Sequence, residues 1–229
     1  MNGLIYNQHH IPKDQYRYGL RPSSSVGCGW VATHNALCLM GYETDIPELI
    51  RYYEWQLPLI HGNAGTSFWG PAVCFRKWEF PVKLITDRRR FDEEAKQADA
   101  CILFYRWHKK YKLGAHFVAL HHTDRGFVGY NTYSNSTGPD HYGESLDAFL
   151  KQKNYYGCIL IAITDKRKPN KTNVPRDFRS HHCKNSSARF CFPKNKKSGL
   201  LPQYRSRGPK DVFFSAWVRY ELSAATRRM

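Results

Sequence analysis

The stretch Ser23-Ser-Ser-Val-Gly-Cys28-Gly-Trp-Val-Ala-Thr-His-Asn-Ala-Leu37 places a thiol between two glycines at the head of an apolar segment that reads as helix. The first-turn N–H groups of a helix have no partner within it, and together with the macrodipole they favour an anion. A cysteine there is expected to have its thiolate favoured and its pKa lowered, which makes it a nucleophile at neutral pH. Gly27 and Gly29 read as leaving the sulfur uncrowded for an approaching substrate backbone. Ser24 or Ser25 caps a helix expected from about Gly27 to Met40, with Gly41 as its natural end. Val31, Ala32, Asn35, Ala36, Cys38 and Leu39 mark that helix as mostly buried.

Upstream, residues 1–22 are polar and tyrosine-rich and read as an extended lead-in. Downstream, Thr44-Asp-Ile-Pro47-Glu48 signals a second helix to about Trp55, and Thr66 or Ser67 opens a third to about Trp78, interrupted at Gly70-Pro71. The period then changes. Strands are expected at Val82–Thr86, Ala100–Trp107, Ala115–His122, Gly126–Thr132 and Tyr156–Thr164, with helices at Phe91–Gln97 and Ser145–Lys153. His108 to Gly114 reads as a basic turn, and Thr123-Asp-Arg-Gly126 as a hairpin turn. Helices first and an antiparallel sheet afterwards predict an α+β fold.

The net charge of +16 is unevenly spread. Residues 1–165 hold 18 Lys and Arg against 16 Asp and Glu, whereas residues 166–229 hold 17 against 3. The expected organisation is therefore a folded domain over 1–165 and a basic extension of low order over 166–229. Any nucleic-acid contact belongs to that extension. Seven cysteines at irregular spacing, four of them (38, 74, 101 and 158) in apolar stretches, suit a reducing cytoplasm. The N-terminus lacks a secretory pattern and no apolar run reaches the length of about 18 residues that spans a membrane. His181-His182-Cys183 with Cys191 matches no standard zinc spacing, so no metal or other cofactor is expected.

A nucleophilic thiol needs a base, and the base needs an orienting group. Of eleven histidines, His34 lies on the far side of the same helix, and His9, His10 and His61 sit in loops. His116 opens a strand between small residues, and the returning strand of its hairpin carries Asn131, so an amide can face the imidazole N–H. Trp30, Trp55, Phe68, Trp69 and Trp107 supply aromatic surface for either a core or a peptide cleft.

Gly27-Cys28-Gly29-Trp30 followed by Asn35-Ala36-Leu37, then His116-Phe-Val-Ala-Leu and Gly129-Tyr-Asn131, resembles the papain-like cysteine peptidases. The match is to their C39-like branch, which includes the bacterial bacteriocin-processing domains that remove leader peptides after a double glycine. The resemblance covers roughly residues 20–165, and the Cys-to-His spacing of 88 residues suits this compact branch better than the roughly 130–150 of papain and the cathepsins. It implies a papain-like fold, a peptide or protein substrate, Cys28 as nucleophile, His116 as general base and Asn131 as the third member. The family also places an oxyanion-binding Gln about six residues before the nucleophile, where this chain has Pro22. The Cys28 N–H, with Ser24 or another polar neighbour as second donor, is the expected substitute, and losing one such donor costs about 10²–10³ in rate. An acyltransferase or deamidase on the same triad, and a peptide-binding relative with a decayed site, are the competing expectations. The oligomeric state is not readable from the sequence.

Overall fold

The computed structural model describes residues 3–56, 65–109 and 112–166. The basic extension beyond 166, residues 57–64 with His61, and the candidate zinc residues all lie outside the described residues. The helices are α1 (Ser23–Val26), α2 (Cys28–Leu39), α3 (Ile46–Gln56), α4 (Gly70–Lys77), α5 (Phe91–Gln97) and α6 (Leu146–Gln152). The strands are β1 (Arg17–Tyr18), β2 (Arg21–Pro22), β3 (Val82–Ile85), β4 (Ala100–Lys109), β5 (Lys112–Thr123), β6 (Gly126–Tyr130), β7 (Asp140–Gly143) and β8 (Tyr156–Ile163). β1 and β2 form a small ribbon, and the other six make one antiparallel sheet in the order β3-β8-β4-β5-β6-β7. Helix and antiparallel sheet are segregated along the chain, an α+β arrangement.

Strand alternation divides the core in two. Phe117, Ala119, Ile102 and Ile161 belong to one cluster with α2, α3 and α4, while Val118, Leu120, Leu103 and Leu160 join the other with α5 and α6. α2 is the centre of the first cluster, and every residue from Gly29 to Leu37 is buried. Its C-terminus closes in a Schellman motif: Tyr42 N donates to Leu37 O at 2.9 Å and Gly41 N to Cys38 O at 3.0 Å, with Gly41 at φ 89°.

Two expectations change. The segment His108–Gly114 is not a turn, because β4 and β5 continue to a pairing of Lys109 with Lys112. At this end Gly114 is required, since a Cβ there would lie 2.1 Å from the Trp107 ring. The helix at Cys28 has no serine cap either. Gly27 is its N-cap residue, and Ser23–Val26 forms the separate turn α1, whose Ser23 carbonyl accepts from Gly27 N at 2.8 Å. Among the described residues no helix is long and apolar enough to cross a membrane.

Glycines 29 and 41 separate two kinds of constraint. A Cβ on Gly41 meets nothing within 4 Å, so Gly41→Ala carries only the left-handed backbone penalty, about 1 kcal/mol. A Cβ on Gly29 would sit 2.5 Å from Thr66 Oγ1 in a packed interior, so Gly29→Ala is expected to cost more, about 1–3 kcal/mol. Urea midpoints of the two variants measure the order.

Candidate functional site

Cys28 occupies the first position of α2 and is partly buried against the α2 core. Backbone N–H groups of Phe117, Gly29 and Cys28 itself pull the thiol pKa down, as expected at a helix start. Burial outweighs them and pushes the thiol up to about 11, against the expected lowering. The flanking glycines also have a different reason from the one expected. A Cβ on Gly27 would lie 2.5 Å from both Ser23 O and Trp30 Nε1, and one on Gly29 would strike Thr66, so both are glycine because α2 is packed tightly at its head.

Phe117, which shares the α2 core cluster with Cys28, follows His116 on β5. Over this part of β5 the ladder to β6 has ended, its last pair being Ala119 with Tyr130. Asn131 turns the chain away at φ 66°, a left-handed conformation that Asn tolerates. By that register Asn131 does not stand opposite His116. It is the backbone carbonyl of Asn131, not its amide, that meets the ring, 2.6 Å from His116 Nε2. A carbonyl oxygen only accepts, so Nε2 carries the proton and Nδ1 of the neutral ring holds a lone pair. Burial lowers the His116 pKa to about 4, with the Asn131 carbonyl opposing and His9 adding to the depression. The ring packs edge-on to Tyr105 and Trp107. No hydrogen bond joins the Cys28 sulfur to His116 among the described residues.

The Asn131 side chain is committed elsewhere. Its Oδ1 accepts from Gln8 N at 2.8 Å and its Nδ2 donates to Gln8 Oε1 at 3.0 Å. Gln8 Nε2 in turn donates to Ser24 O at 3.3 Å. Ser24 thus enters the site through its carbonyl, one turn before Cys28. Asn35 of α2 grips the same N-terminal segment in the same way, accepting from Ile5 N and donating to Ile5 O, both at 2.8 Å. The lead-in is therefore sewn between the Cys28 helix and the Asn131 turn. Gln8 was not among the sequence candidates. It stands 20 residues before Cys28, and only the two-residue ribbon β1–β2 between them reveals how the chain folds back. His34 is occupied away from the site, hydrogen-bonded to Gly3 O at 3.0 Å and to the Thr44 hydroxyl.

A cleft of about 530 Å³ opens on His116, floored by Tyr105, Trp107 and Tyr155 and edged by His108 and Lys153. Of the expected aromatic residues, Trp107 lines this cleft, Trp30 is fully buried core and Trp69 is 47 % exposed. The Trp55 side chain lies outside the described residues. Among the described residues no group of three or more His, Cys, Asp or Glu converges as a metal site.

No family model matches this chain, and no curated protein matches it.

His116 makes stability pH-dependent. Its folded pKa of about 4 lies below the ordinary 6.5, so the unfolded chain binds the proton first as pH falls. The stabilisation is complete above about 6.5 and is lost as pH drops toward 4; buried His34, also depressed, acts in the same sense. Urea midpoints taken across that window are expected to fall, and His116→Gln to flatten part of the slope.

Proposed function

We propose that the chain is a papain-like thiol hydrolase of the C39-like kind, acting on a peptide bond through Cys28 and His116. The observation that carries this reading is the fixed imidazole on β5: the Asn131 carbonyl takes the His116 Nε2–H and leaves a lone pair on Nδ1, while Cys28 heads a helix packed on the same strand. In the proposed reaction His116 takes the Cys28 proton as the sulfur attacks the substrate carbonyl. The same proton passes to the leaving amine as the C–N bond breaks, and water activated by His116 then releases the acyl group from sulfur. The Cys28 N–H at the head of α2 supports one oxyanion bond. For the second, Gln8 is a better candidate than Ser24, because its Nε2 has two N–H groups and Ser24 O takes one. Asn131 contributes its carbonyl to the ring and its amide to holding Gln8.

One observation favours a second reading, a peptide-binding relative with little or no turnover. With the thiol at about 11 and the imidazole at about 4, the resting pair is neutral, and ionising it against burial is unfavourable.

Mass-mapped alkylation of Cys28 with iodoacetamide, alongside turnover of a fluorogenic peptide set, separates the two. A hydrolase loses about 10³-fold or more of its turnover in Cys28→Ala and in His116→Ala, and an added amine in place of water as acceptor identifies an acyltransferase. Asn131→Gly, which keeps the carbonyl and the left-handed backbone, is expected to lose less than His116→Ala. Absence of turnover, with Cys28 alkylation rising only toward pH 11 and indifferent to His116→Ala, supports the binding protein instead.

A further inference from the structure

The cleft on His116 carries one full charge among its lining residues, the ammonium of Lys153, and no Asp or Glu lines it. Other cations of the chain are paired: Lys151 and Arg88 share Asp147 at 2.6 and 2.9 Å, and Lys83 meets Glu94 at 2.8 Å. Lys153 is not. Its Nζ lies over the Tyr133 ring, 5.2 Å from the centroid, with no carboxylate partner among the described residues. Tyr105 and Tyr155 stack with centroids 4.2 Å apart and Trp107 beside them, an apolar floor with the exposed uncharged polar groups of Ser134 and Asn154 at the rim.

We propose that this cleft is a subsite for an acidic side chain of a peptide, with its carboxylate at Lys153 and its neighbouring residue on the Tyr105–Trp107–Tyr155 floor. This rests on the hydrolase reading only in taking the peptide to be the substrate. One ammonium suits a single-charged carboxylate. A phosphate dianion is more often met by the forked donors of arginine, and no arginine lines the cleft. The amide- and hydroxyl-bearing rim fits peptide N–H and C=O groups.

The test is calorimetric titration of the full chain carrying Cys28→Ala, so that binding is read without turnover. The probes are acetyl-Ala-Glu-Tyr-amide, its Gln counterpart and uridine monophosphate. The Glu peptide is expected to bind about fivefold tighter than the Gln peptide at low salt, with the preference weakened by salt and abolished in Cys28→Ala/Lys153→Gln. Equal affinity for the two peptides overturns the inference, as does a preference that survives Lys153→Gln or tighter binding of the nucleotide than of either peptide. A Glu preference in a protein whose wild type hydrolyses nothing sustains the subsite and overturns the hydrolase alone. Hydrolysis indifferent to acidic residues does the reverse.

Discussion

α2 is buried along almost its whole length, so the groups at its two ends must be satisfied inside the protein rather than by water. At the far end the Schellman turn at Gly41 does this with backbone alone. At the near end no side chain caps the helix, and the Cys28 thiol occupies its first position. The tight packing of Gly27 on Trp30 and of Gly29 on Thr66 follows from the same demand, as does the seating of the sulfur against β5.

The contest at the thiol is decided by magnitude. A helix terminus contributes about 0.3–1 kcal/mol, and up to about 2 in partly buried sites. Burial outweighs the N–H groups that favour the thiolate and pushes the thiol up to about 11. A sequence shows that a cysteine begins a helix but not how deeply the helix is sunk.

The regular elements were legible wherever apolar spacing was strong: α2 within a residue of its expected ends, β8, α5, and the hairpin closed by Gly126. The misreadings occur where charge hides structure. Lys109 and Lys112 look like a turn, yet they extend a hairpin whose strands are covered by Trp107 lying over Gly114. β7 is four residues, Asp140–Gly143, with only Tyr142 buried, too short and polar to show a period of two. At the site His116 and Asn131 come together through the ring-to-carbonyl bond, whereas Cys28 packs in the α2 cluster and is not among the residues that line the cleft. What could not be read is that Asn131 serves the imidazole through its carbonyl. That depends on a left-handed turn and on Gln8, 123 residues away, occupying the amide.

The stitching of the lead-in bears on how the chain acquires its structure. Ile5 finds Asn35 within 30 residues, but Gln8 meets Asn131 only after a further stretch of helices and half the sheet has been made. Closing so large a loop is entropically late, and relative contact order of this kind slows folding. During synthesis the segment is held at one end by the helix while its other end waits, and the imidazole acquires its fixed tautomer only once Asn131 has followed β6. A nascent chain therefore carries its thiol well before an oriented imidazole exists.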